Sequence, residues 1–317
     1  MFSMLSFGEV LMDFLPSSTA SDYYMPLPGG APANVAVAFA KLGGKSYFAG
    51  GIGSDNLGSQ LIRAFNQEGV DISYCEVIPD SVTAIVLVSL DCEGERAFSF
   101  YRKDTADMQY DLNNFNRVNW AEIGVFHFCS NTLTDGHGLN TTNHALACAH
   151  KNNVLVSFDV NLRQQLWHKL DELPNCIDAF IKKSDIIKLS KDEARYLAQQ
   201  KGISIEEYVS RILTMGNKLV VVTDGANAIE LSCSGFFIQV DVPKTNAVDT
   251  TAAGDSFIGS FLFYLSRHTS AVEVKAMQGQ KLHKILYDAT VFAAQCGAKT
   301  CQKKGAFAAL PSIVELQ

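Results

Sequence analysis

The residues best placed to do chemistry lie in one short stretch, VDTTAAGDSFIGSFL at 248–262. There Asp255 follows Ala252, Ala253 and Gly254, and an apolar helical pattern begins at once. Small side chains at a helix entrance leave the first N–H groups, with the positive end of the helix dipole behind them, open to an anion. A phosphoryl group in transfer builds charge on its oxygens and is stabilised by such a hole. A carboxylate beside the hole can take the proton of an attacking hydroxyl, the part of a base in phosphoryl transfer. The plainer alternative is that Asp255 caps its helix, a stabilisation of about 1 kcal/mol.

Other cofactor motifs are broken. Gly44-Lys45-Ser46 has Phe39 where a Walker loop needs its first glycine, and Gly51-x-Gly53 has Asn56 where a dinucleotide fingerprint needs its third. The histidines include no H-E-x-x-H pair, and His127 inside VFHFC reads as a satisfied core residue. The cysteines, Cys75, Cys92, Cys129, Cys148, Cys176, Cys233, Cys296 and Cys301, contain no C-x-x-C and read as reduced, buried thiols.

The elements that must carry this site can be read from apolar spacing. LSFGEVLMDF, PANVAVAFAKLGG, SYFAGGIG and DNLGSQLIRAFNQEG alternate strand and helix patterns, and IGVFHF, VLVSFDVN, DIIKLS and KLVVVTDG read as later buried strands. The pattern predicts an α/β fold, a doubly wound, mainly parallel sheet with helices on both faces. Leu57, Leu61, Ile62 and Phe65 mark one helical stripe, with Asp55 as its N-cap and Gly69 as its stop. Residues 83–102 break the rhythm as two strands joined across 91–95, where Gly94 supplies the turn. With the early stretch they form a small β lid, at about 12–28 and 83–108, on a single domain spanning 1–317. A net charge of −7 with no basic run argues against nucleic acid or an anionic membrane as partner, leaving small molecules. The start lacks a basic signal-like segment and the longest apolar stretch, 257–265, is far below the ~20 residues that span a bilayer, so a cytoplasmic protein is expected.

DTTAAGD resembles the C-terminal signature of the ribokinase-like (PfkB) family of sugar and nucleoside kinases, and PGGAPANVAVAFAKLGG resembles its N-terminal one. GGIGSDNLG, FDVNLR, KLSKDE, VVTDG and KKGAFAALP extend the similarity along the chain. The resemblance implies a doubly wound domain with a β lid and ATP binding without a Walker loop. It implies Asp255 as base with an anion hole at Ala252, Ala253 and Gly254. Asp13, Gly29, Gly30, Asn34, Arg102 and Arg163 would meet the sugar, and Asn161, Lys188, Ser190, Thr223, Asp224 and Gly225 the nucleotide. Glu193 would help organise Mg²⁺ through water, and Asp249 resembles part of a monovalent-cation loop, implying activation by K⁺. Ser190 stands where many members have asparagine, Ala252 and Ala228 where glycine is common, and Ala294 where many have asparagine near the adenine. GGAPANVAVAFAKLGG and FSFYRKDTAD are similar to the forms in bacterial fructokinases, which implies fructose as acceptor. Ketodeoxygluconate and aminoimidazole riboside kinases share the fold and the hole; a sugar-sensing protein without turnover is the distant alternative. The apolar faces of AIVLVSL and AFSFY suit a homodimer through the lid.

Overall fold

Runs such as LVVV and VLVSF can hide both faces of a strand, and strands of this kind form the middle of the molecule. A computed structural model describes residues 1–16, 23–90, 96–216, 219–233, 235–276 and 280–316. Among these the large sheet comprises β1 Ser3–Phe7, β4 Ser46–Gly53, β5 Asp71–Ile78, β8 Ile123–Cys129, β9 Leu155–Asp159, β10 Ile186–Ser190, β11 Leu219–Thr223, β12 Ile229–Cys233 and β13 Phe236–Val240. Their order is β13-β12-β11-β10-β9-β8-β1-β4-β5, parallel from β11 to β5. The smaller sheet orders β3 Tyr24–Gly29, β2 Leu11–Pro16, β6 Ile85–Leu90 and β7 Arg96–Tyr101, with β2 and β6 parallel and the outer pairs antiparallel.

The helices are α1 Ala31–Lys41, α2 Asn56–Gln67, α3 Gly136–Lys151, α4 Leu173–Lys182, α5 Lys191–Gln199, α6 Ile205–Thr214, α7 Ala253–His268, α8 Ala271–Ala276 and α9 Gln280–Thr300. Neighbouring strand residues feed different cores, as period-2 side-chain alternation requires. Met4, Val125, Leu155 and Ile186 pack with α1, α7 and α9, while Leu5, Phe126, Val156 and Ile187 pack with α3, α4, α5 and α6. Asp55 caps α2 by accepting from Gly58 N at 2.7 Å, Leu61 and Phe65 are fully buried on it, and Gly69 follows its end with φ +75°. No helix among the described residues is long and apolar enough to cross a membrane.

LSFGEVLMDF is two strands in two sheets, because the chain turns at Gly8 (φ +150°), where a Cβ would lie 2.5 Å from Pro32 Cγ. The antiparallel hairpin β12–β13 at the sheet edge was not anticipated. The turn at 91–95, Gly94 and Cys92 included, and residues 17–22 of the early lid stretch lie outside the described residues. The other cysteines are all free, but only Cys129, Cys233 and Cys296 are buried; Cys75, Cys148, Cys176 and Cys301 are half-buried. His127 is fully buried with Nδ1 3.0 Å from Ser157 Oγ, and burial lowers its pKa to about 3, so it stays neutral.

Candidate active site

Asp255 is the third residue of α7 and is 7% exposed. Its Oδ2 accepts from Asn34 Nδ2 at 2.7 Å and its Oδ1 from Asn161 Nδ2 at 3.2 Å. The carboxylate is thus turned away from capping its own helix, and α7 has no side-chain cap. Asn34 reaches it because α1 and α7 approach closely at Gly259, where a Cβ would sit 2.8 Å from Ala38 Cβ and 2.9 Å from Val35 O. Asn161 follows β9 with φ +36°, a strained conformation of the kind that collects at functional sites. Burial raises the Asp255 pKa, while the Asn34 hydrogen bond, Lys188 and Arg163 pull it back.

At the entrance to α7, Ala252 takes a left-handed φ of 60°, which turns the extended chain into the helix. Ala253 N leans to Thr250 O at 3.3 Å. A Cβ on Gly254 would lie 2.8 Å from Lys188 Nζ, so the bare first turn and a lysine ammonium face the same space. Lys188 is buried and pairs with Asp159 at 2.9 and 3.1 Å. Burial alone disfavours the Lys188 cation, but Asp159 and Glu193 outweigh it and the pKa is raised. Asp249 Oδ1 accepts from Thr251 N at 2.8 Å and Oδ2 from Gly305 N at 3.0 Å, tying the loop before α7 to the segment after α9.

Two cavities meet here. One, of about 830 Å³, is lined by Asp13, Gly30, Asn34 and Asp255 together with Val86, Phe98 and Phe100 of the small sheet. The other, of about 1100 Å³, is lined by Ser190, Glu193, Thr223, Gly225 and Ala294. Asn161, Arg163, Lys188, Thr250, Ala253 and Gly254 line both and form the seam between them. Burial first, then Asp255 and Asp249, push the Asp13 pKa up to about 7. Glu193 Oε1 accepts from Leu162 N at 2.6 Å and Oε2 from Ser190 N at 2.8 Å, and Ser190 Oγ caps α5. Among the described residues no group of three or more His, Cys, Asp or Glu is arranged to hold a metal.

Three of the expected residues stand off the cavity walls. Arg102 pairs with buried Asp107 and donates to Asn131 O at 3.2 Å, because burial of a guanidinium demands an anion beside it. Asp224 pairs with Lys191 Nζ at 2.8 Å, which turns it out of the nucleotide-sized cavity. Gly29 lies behind Asp13, and a Cβ there would fall 2.2 Å from Asp13 Oδ2.

Comparison with known proteins matches residues 1–313 to the pfkB family of carbohydrate kinases. A fructokinase of Vibrio alginolyticus is 34% identical over 312 residues, covering 98% of this chain and 96% of its own. A Xylella fastidiosa fructokinase with bound ATP superposes with a TM-score of 0.92 at 31% identity, covering 99% of this chain and 96% of that one. A Vibrio cholerae fructokinase double mutant bound to fructose, ADP and potassium gives 0.89 at 32% identity, covering 100% and 97%. The chain belongs to the pfkB family. As in its relatives, the fold is ribokinase-like, and the chain is a sugar kinase. Sequence reasoning missed three polar residues of this kinase that the structure brings to the site. Glu9 and Asn131 line the smaller cavity, and Asp159 anchors Lys188. The available signal was a polar residue at the end of an apolar strand, where parallel sheets bind ligands.

Proposed function

We propose that this kinase transfers the γ-phosphoryl group of ATP to fructose, giving fructose 6-phosphate. The observation that carries the proposal is Asp255, held by Asn34 and Asn161 in the smaller cavity, next to the seam where Gly254 and Lys188 face each other. ATP occupies the larger cavity with its phosphates towards the seam. Asp255 accepts the proton of the sugar hydroxyl as that oxygen bonds to the γ-phosphorus and the bond to the ADP oxygen breaks. The N–H groups from Ala252, Ala253 and Gly254 and the Lys188 ammonium hold the charge that develops on the moving group. Asp13, Gly30, Asn34 and Arg163 bound the acceptor; Asn161, Ser190, Thr223 and Gly225 bound the nucleotide.

Mg²⁺ bound to the ATP phosphates supplies charge neutralisation. Glu193 would meet it only through water, since both its oxygens already accept backbone N–H groups, which suits an ion that keeps most of its own waters. The Asp249 loop is proposed to bind K⁺, and equal activity in sodium, potassium and tetramethylammonium buffers would refute that. The wall of the smaller cavity carries Glu9, Asp13, Asp249 and Asp255, which fits a neutral polyol better than the carboxylate of 2-keto-3-deoxygluconate. We further propose a cytoplasmic, single-domain enzyme whose copies pair through the lid, where Tyr24, Met25 and Tyr101 stand exposed. Sedimentation at micromolar concentration tests the pairing. ADP release with fructose, ribose, 2-keto-3-deoxygluconate and aminoimidazole riboside tests the acceptor. The highest kcat/KM is expected for fructose; a higher value for another sugar, or no sugar-dependent ADP, overturns the proposal.

A further inference from the structure

Glu9 follows β1 and Asn131 follows β8, adjacent strands at the point where the strand order of the large sheet reverses. Both are buried, at 2% and 6% exposure, and both line the smaller cavity. Asn131 Nδ2 donates to Glu9 Oε1 at 2.9 Å, and Ala31 N reaches the same oxygen at 3.3 Å. That bond fixes the amide with its nitrogen on the carboxylate and leaves Glu9 Oε2 and Asn131 Oδ1 with no hydrogen-bond partner in the protein. Two buried oxygens without partners are costly in a folded chain, and each wants a donor. Arg102 does not supply one: its guanidinium goes to Asp107 and to the backbone of Asn131.

We propose that the Glu9–Asn131 pair recognises the acceptor sugar, taking hydrogen bonds from hydroxyls that are not the one phosphorylated at Asp255. A polyol edge supplies donors to both oxygens, whereas a sugar with a carboxylate or phosphate at that edge supplies none. The inference rests on the assignment of the smaller cavity to the acceptor. Glu9 also props the first turn of α1 through Ala31 N, so a purely structural role would act through Asn34 and Asp255 and lower kcat.

The test pairs Glu9→Gln and Asn131→Ala with fructose and with its monodeoxy analogues, in steady-state kinetics. Each variant is expected to raise KM for fructose about 10- to 100-fold, as loss of a buried hydrogen bond does, with kcat within about threefold and KM for ATP unchanged. The penalty should disappear for one deoxyfructose, the one lacking the recognised hydroxyl. An unchanged KM, a fall in kcat with KM kept, or an equal penalty on every deoxy sugar would overturn the inference. If the wild type prefers another sugar, the fructose assignment falls, and the same cycle with that sugar and its deoxy forms still judges Glu9 and Asn131. Melting temperatures within a few degrees of wild type show that the variants are folded.

Discussion

The Asp255 carboxylate sits between two asparagine amides, and that arrangement suits a base that must be ionised yet not solvated. Asp255→Asn keeps the shape and removes the proposed base, so kcat should fall about 10²- to 10⁴-fold while the ATP dissociation constant, measured by calorimetry, is unchanged. Because burial raises the Asp255 pKa, kcat/KM should fall as pH drops through that raised value. Asp13 illustrates the cost of such a site. Its pKa is raised to about 7 against an unfolded value of about 3.9, so the folded chain holds this proton more tightly. The contribution of that proton to stability is complete below about pH 4 and is lost as pH rises towards 7. Asp13→Asn should therefore raise the unfolding free energy by on the order of 2 kcal/mol at pH 8 and by almost nothing at pH 4, read from urea melts, while fructose affinity collapses. Asp255 is legible in the sequence because small residues and a helix entrance flag it, whereas Asn34 is reached only through the family resemblance of the segment that holds it. For Glu9 and Asn131 the sequence offers only a polar residue just past an apolar strand; their pairing, a hydrogen bond across 122 positions of chain, is encoded by no local pattern.

Among elements, the approach of α1 to α7 aligns Asn34 with Asp255, and Gly259 permits it. Gly259→Ala places a Cβ 2.8–2.9 Å from Ala38 and Val35 and should cost about 1–3 kcal/mol, with a fall in kcat that exceeds any change in KM for ATP. The start of α7 depends on the left-handed Ala252, φ 60°. Ala252→Gly exchanges strain for chain entropy and should stay within about 1 kcal/mol of wild type with activity kept, whereas Ala252→Val should lose about 2 kcal/mol or more in the same melts. Strands buried on both faces were legible as continuous apolar runs. The β12–β13 hairpin was not, since IELSC and FFIQV alternate over only five residues each beside stronger patterns. LSFGEVLMDF misled because hydropathy continues across Gly8 while the backbone changes sheets.

Across the whole molecule, the small sheet acts as a wall with two faces. Leu27, Asp13, Val86 and Phe100 are cross-strand neighbours along one row, and Phe98 pairs with Val88 on the same face. Asp13 is the one carboxylate in that row, so a sugar would find apolar surface around a single strong acceptor. Phe98 lines the smaller cavity yet is 43% exposed, which leaves apolar area to be covered when an acceptor is bound. Covering it would shut water out of the seam, where water in place of the sugar hydroxyl yields wasted ATP hydrolysis. Tyr101 lies three residues on, opposite Ile85, and points to the other face with 58% exposure. Phe98→Ala is therefore expected to raise KM for fructose about tenfold and to increase the ratio of ADP formed to fructose phosphate formed, whereas Tyr101→Ala leaves both unchanged. Coupled assays of the two products decide it. Equal effects of the two substitutions would mean that the sheet contributes stability alone and does not seal the site.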